Sequence, residues 1–506
     1  MDFDFSYAPG TSLDQIIGFE TAGALWSSYL GDNTTINIYV QTTNQLPPNV
    51  IGGSLPGILA DTKYETWRNK LSQDKTSAND NLVFNNLQDE KDKFTTVIDS
   101  YKIDNNEQLN LTRANGKALN MVGTNDKNLD GYILMRDLTG MPVSWNYNVS
   151  SSSVPTNTLD FVSVAVHEIG HVLGFTSGLD KPGWLTQKTQ YDSSHMSDYY
   201  STLVGKLNNA TPLDMFRYSA QSIALGGISE HWNDMSIGGN PYFSLDGGRT
   251  ARAYYGTGHD HSLGGDGNQA SHWKQKTNAV DIMDPVLSVG QRRSISTLDR
   301  EAMDAIGWNI KQGTTNLVTL QNQAKTKLAS EIGVTVNWLD ANQTSAAGML
   351  SKDRTQDVET MIDRSQVYEW GTSGRKWQEG LWQNVLWQEL DLSGGDSEAE
   401  SSSTTKLDFN YISDSYVLEN RTMTSLRFND SLTDKEDKID LNNSFKQVNE
   451  LSLSENSENQ DSSSHYEESD LLLNSRSDLD LLFLDDSFFN PLENLFSKDE
   501  LLSNKI

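Results

Sequence analysis

The sequence predicts an α+β fold for roughly its first 310 residues, followed by material of a different character. Three observations point that way. A helix-period stretch lies near the start, a strand-period stretch follows it directly, and glycine-rich irregular segments alternate with further short elements of both kinds. Apolar residues make up 36% of the 506, low for a chain packed throughout, so part of it is expected outside any core.

Taken in order, Ser12 to Leu30 reads SLDQIIGFETAGALWSSYL. Ile16, Phe19, Gly23, Trp26 and Leu30 recur at three- to four-residue spacing, and Ser12 with Gln15 is a capping-box start, so this is a helix. TTINIYVQ (34–41) alternates Ile36, Ile38 and Val40, the period of a half-buried strand. YETWRNKLSQ is expected to add a helix, and DGYILMR and PVSWNYN two strands. NTLDFVSVAVHEIGHVLG returns to helical periodicity, with Asn157 expected as N-cap and Gly174 at the natural stop. Residues 178–270 turn loop-rich, with Gly-Gly pairs at 226, 238, 247 and 264, and are read as an insertion rather than a separate domain.

Residues 311–394 look helical and carry Trp370, Trp377, Trp382 and Trp387, read as the apolar packing of a small C-terminal module rather than as a sugar platform. From Gly395 onward there are 25 acidic and 9 basic residues in serine-rich surroundings. Such a tail, 395–506, buries too little apolar surface to offset its ordering entropy, and disorder is expected.

The net charge of -30 argues against a nucleic-acid partner, because a phosphate backbone would be repelled. Cysteine is absent, which excludes disulfides, thiolate metal sites and thiol nucleophiles together. No stretch approaches 18 consecutive apolar residues, so no membrane span is expected, and MDFDFSYAPG lacks the features of a signal peptide.

The chemistry concentrates in HEIGHVLG. His167 and His171, four apart on a helix, project from one face and can share a metal ion. Glu168 lies beside the first, where a carboxylate can take a proton from a metal-activated water. An accidental HExxH arises in about one chain of this length per hundred, so a metal site is the better reading. A third protein ligand is needed. No glutamate occurs between Glu168 and Glu230, leaving Asp180, Asp192, Asp198, His195, His231, His259, His261 and His272. The loop YGTGHDHSLGGDGNQ, with Asp260 and Asp266, is a weaker candidate for structural calcium and reads more readily as an ordinary loop.

HExxHxxG (167–174) resembles the opening of the metzincin zinc proteases. In the leishmanolysin-like branch, an insertion separates the glycine from the third histidine, which then lies in a Ser-His-Trp context shortly before a methionine turn. Ser271, His272 and Trp273 match that context, Met283 in DIMDP matches the turn, and ISTLDREAMDAIGW is similar to the closing helix; the likeness covers roughly residues 10–310. The resemblance implies a metzincin-like catalytic domain with zinc held by His167, His171 and His272. It also implies Glu168 as general base, Met283 supporting the site from below without ligating, and Gly174 making the bend after the helix. The implied activity is zinc-dependent hydrolysis of peptide bonds in protein or peptide substrates, outside the cell. The chain departs from the branch in having no cysteine to hold a zinc latent, and no tyrosine follows Met283 closely. The alternative expectation is a secreted surface or adhesion protein that keeps such a fold for binding alone.

Overall fold

The computed structural model describes residues 1–364 and 386–391, apart from positions 45, 48, 181–193, 208, 227–228, 277–280 and 315. The chain divides into two compact units, Met1–Phe409 and Asn410–Ile506. All described residues belong to the first. Trp370, Trp377, Trp382 and the tail from 395 lie outside them.

A six-stranded sheet organises the first unit. Its strands are β1 (Asp2–Tyr7), β2 (Thr35–Thr43), β3 (Val50–Pro56), β4 (Gly131–Arg136), β5 (Val286–Ser288) and β6 (Leu386–Asp391). Their spatial order is β1-β2-β4-β3-β6-β5. The first three in space run parallel; β3 reverses against β4, and β6 lies antiparallel to β3 and parallel to β5. The helices used below are α1 (Leu13–Tyr29), α2 (Phe161–Leu173), α3 (Thr297–Ala305), α4 (Leu317–Glu331), α5 (Val336–Ala341), α6 (Gln343–Leu350) and α7 (Thr355–Arg364). The fold is thus mixed α+β, as the alternation of helical and strand periods predicts.

The capping box at Ser12 and Gln15 forms, each side chain meeting the other residue's backbone N–H. Every residue of α2 is buried, its polar Ser163, His167, Glu168 and His171 included, because it runs between other layers. α1 covers one side of it. Phe161 meets Phe19 edge-on at 5.5 Å, and the Trp26 indole donates to the Val166 carbonyl at 2.9 Å. Trp26 and Phe19 are fully buried, each stabilising by about 1.5–3 kcal/mol relative to exposure. α2 is capped by Asp160, whose carboxylate accepts the Ser163 N–H and pairs with Arg292 at 2.7 Å. The expected cap, Asn157, precedes a short ladder instead: Thr158–Asp160 pairs with Ser144–Asn146 and carries the chain straight into the helix.

The segment 311–364 follows the helical expectation, and α4 packs on α1, with Lys327 bonded to Glu20 at 2.7 Å. The expectation fails at its end. Residues 386–391 form β6, a strand of the main sheet, so Trp387 belongs to that sheet rather than to a helical module. Tyr64–Asp74 forms the expected helix, and residues 178–270 are loops with short elements such as the helices Met196–Leu203 and Ala220–Gly226. Among the described residues, no helix is long and apolar enough to cross a membrane.

Candidate metal centre

His167 and His171 stand one turn apart on α2, and their Nε2 atoms lie 3.1 Å from each other. His272 comes in from the far side of the insertion; its Nε2 is 3.2 Å from both. All three side chains are essentially inaccessible, and they are the cluster among the described residues whose atoms can hold a metal ion. The other candidates fall elsewhere. Asp180 is used differently, as described below. Asp198 and His195 are exposed, and Asp192 lies outside the described residues. His231, His259 and His261 each meet a loop carbonyl through Nδ1.

The ring orientations are set by what sits behind each histidine. Nδ1 of His167 donates to the Ile282 carbonyl at 2.7 Å, that of His171 to Phe175 at 2.7 Å, and that of His272 to Gln269 at 3.1 Å. With Nδ1 carrying the proton in each ring, all three Nε2 atoms present lone pairs to a common point. Three facing lone pairs repel one another, so these contacts are not hydrogen bonds and the arrangement suits a cation. A tetrahedral ion with bonds of 2.0–2.1 Å separates its ligands by about 3.3 Å, close to the spacing observed. Burial holds His167 and His171 well below the usual imidazole range and pushes His272 down to about 4, so the rings are neutral and ready to ligate.

Glu168 lies against β3. A Cβ at Gly52 would sit 2.8 Å from its Oε1, so only glycine lets the strand pass this close. Neither carboxylate oxygen has a hydrogen bond among the described residues. Burial pushes its pKa well above the ordinary carboxylate range, opposed by the nearby Ser54 hydroxyl and Gln388 backbone N–H, which stand outside hydrogen-bond geometry. The group is therefore a buried carboxyl next to His167 in the chain, on the face turned to β3, where burial favours its neutral form.

Met283 packs beneath α2. A Cβ at Gly170 would lie 2.5 Å from its Sδ, which explains the glycine inside the helix between the two histidines. The turn is held by Asp299 in the first turn of α3. Its Oδ2 accepts the N–H groups of Ile282 (3.0 Å) and Ser296 (2.7 Å), and its Oδ1 those of the Trp273 indole (2.8 Å) and Met283 (3.4 Å). One carboxylate thus ties together the residue whose carbonyl orients His167, the methionine, and the neighbour of His272. Sequence inspection missed it; the signal available was the capping box Ser296–Asp299 in ISTLDREAMD.

The return of the chain after the insertion is fixed in the same manner. Asp180 accepts the backbone N–H groups of Ala270 and Ser271, both at 2.6 Å, and Ser271 Oγ accepts the Ser177 N–H at 2.8 Å. Ser177 also bonds Asp214, which in turn holds Gly178 and Thr211. The two ends of the insertion are therefore stitched together where α2 stops. Gly174, at φ +123°, makes that stop.

Asp260 and Asp266, the candidates for calcium, accept hydrogen bonds from their own loop, Asp260 from Ser262 and Asp266 from Thr257 and Asn268. They do not converge with a third acidic or histidine ligand among the described residues. Comparison with known families, with curated proteins and with solved structures gives no match.

Proposed function

We propose that this chain is a zinc-dependent endopeptidase of the metzincin type, with His167, His171 and His272 holding the ion and Glu168 acting as general base. The observation that carries this is the convergence of three neutral, backbone-oriented imidazoles at 3.1–3.2 Å beside a buried carboxylate that bonds nothing else among the described residues. Three histidine ligands suit zinc, leaving a fourth position for water or substrate.

Zinc held there supplies a Lewis acid toward water and the scissile carbonyl. Glu168 accepts the proton of the attacking water on a carboxylate oxygen and delivers it to the leaving amine nitrogen. Its burial makes the ionised form a stronger base than a solvated glutamate. Met283 and Asp299 keep His167 and its carbonyl partner in register, so the ligands need little reorganisation. An extended peptide would lie along β3, whose residues 52–54 pass over Glu168. Both sides of β3 are paired, with β4 and with β6, so a peptide bound there takes the place of β6. We place the activity outside the cell, where a cysteine-free chain loses nothing to oxidation.

The test is zinc content per chain for the wild type and His272→Ala, with hydrolysis of a generic unfolded protein by the wild type and Glu168→Ala. One zinc in the wild type, lost or greatly weakened in His272→Ala, and hydrolysis lost in Glu168→Ala with zinc retained, are the expected results. Equal zinc in wild type and His272→Ala sinks the triad. Zinc without hydrolysis, even in the groove-opening variants described below, leaves the binding-only protein as the better account.

A further inference from the structure

The strand β6 occupies the place where a substrate would lie. It sits between β3 and β5, bonded to both, and β5 begins three residues after Met283. Its register on β3 sets Leu386 opposite Ser54, Trp387 opposite Gly53 and Gln388 opposite Gly52. A Cβ at Gly52 would meet the Glu168 carboxylate, so Gln388, paired with Gly52, crosses the candidate centre at the level of the general base. The Gln388 amide nitrogen lies 3.2 Å from His167 Nδ1 and donates to the Asp284 carbonyl at 3.4 Å. Beyond it, Glu389 N–H donates to Pro285 and Leu390 N–H to Asn49, at 2.9 and 2.8 Å.

The strand is attached through its backbone and by a few side chains, Leu386 being buried and Trp387 and Leu390 half-buried against the flanking apolar clusters. Of its six residues only Leu386 and Gln388 are buried, and Gln388 is polar with its Oε1 unbonded among the described residues. A strand selected for a core would bury aliphatic side chains on that face. Its ladder is also broken, since the register shifts between Gln388 and Glu389. Such a strand resembles an extended peptide added to a sheet edge: main-chain bonds hold it to β3, and Leu386, Trp387 and Leu390 add the side-chain contacts.

We propose that residues 386–391 are an intrachain occupant of the peptide groove, a substrate-like strand that closes the site until it is displaced and that competes with extended peptides for β3. The inference rests on the peptidase assignment for its meaning, but the occupancy itself is testable without catalysis.

The experiment uses the full-length chain. Hydrogen exchange of the wild type under native conditions compares amides of 386–391 and β3 with those of β4. Local opening predicts that 386–391 exchanges well before β4; exchange of both only with global unfolding would make β6 a core strand and overturn the proposal. The double variant Glu389→Pro/Leu390→Pro removes the two N–H donors to Pro285 and Asn49. A fluorescently labelled peptide of sequence LWQELD should bind this variant at least about tenfold more tightly than the wild type, with a scrambled peptide inert in both. Equal binding to both proteins would refute the occupancy. Should the double variant fail to fold, the wild-type exchange comparison decides alone. Peptide hydrolysis then separates the two claims. Faster cleavage by the variant supports both, and an open groove that binds the peptide but cleaves nothing keeps the occupancy while removing the peptidase. Wild-type cleavage as fast as the variant's removes the occupancy and keeps the peptidase.

Discussion

Asp299→Ala is the perturbation that probes how the centre is held together from outside its ligands. The carboxylate is completely buried and accepts four N–H groups, from Ile282, Met283, Trp273 and Ser296. Removing it leaves three buried donors and the half-buried Ser296 N–H without this partner, each buried one costing on the order of 1 kcal/mol or more. Against this, burial raises the pKa of Asp299, so its ionised form is itself unfavourable inside the fold and its loss returns part of that cost. The balance is a destabilisation of about 2–4 kcal/mol, measurable as a shift in denaturant midpoint at constant slope. The effect on metal should be separable from that on stability. Ile282 loses its anchor, and its carbonyl orients His167, so zinc affinity should fall by about 10- to 100-fold under conditions where the variant is still folded. The assay is competition with a chromophoric chelator alongside urea unfolding of the metal-free protein. A variant with zinc affinity within twofold of the wild type would refute the idea that Asp299 positions the centre, whatever its stability.

Three further outcomes follow from the same geometry. Asp180→Ala frees the backbone at Ala270 and Ser271, and zinc affinity should drop about tenfold through His272, with isothermal titration as the check; unchanged affinity would mean the Ser-His-Trp segment holds itself. The metal-free protein should gain stability as pH falls from about 8 to 6. Asp74 and Asp304, pushed up to about 7 chiefly by burial, bind protons in the folded state that the unfolded chain releases. Below the unfolded histidine value the buried neutral His167, His171 and His272 must take up protons on unfolding. That opposes the gain from these carboxyls and from Asp180 and Asp284, held at about 6, so the rise flattens. Stability that drops between about pH 8 and 6 in urea melts would contradict this. Gly174→Ala places a side chain at φ +123° against Ile306 and should cost about 1–3 kcal/mol by thermal unfolding; a neutral effect would show that the stop after α2 can relax.

Local chemistry was legible in the sequence wherever one short segment contains it. The capping box of α1, the existence of β2, and the placement of His167, Glu168, His171 and Gly174 along one helix depend on spacings within a few residues, and backbone geometry turns such spacings directly into shared faces. Residues 36–40 of β2 are nonetheless buried on both faces, not half-buried as its alternation predicts. The resemblance at SHW added His272 from about a hundred residues away, and the folded chain brings its ring to the other two.

Only the tertiary structure decided the rest, because it depends on pairings between distant segments. The sequence does not announce β3, since VIGGSLP lacks the alternation of a half-buried strand; every residue of it is buried and Gly52 admits Glu168. Asp299 looks like an ordinary helix-capping acid and Asp180 like one of several possible metal ligands until the chain folds their carboxylates onto backbone donors more than a dozen residues away. β6 follows a helical stretch and carries no strand period of its own; it becomes a strand by adding to an edge that the sequence does not announce. A spacing of three or four residues is written in the chain, whereas a partner for a strand edge or for a buried carboxylate exists only once the fold has closed around it.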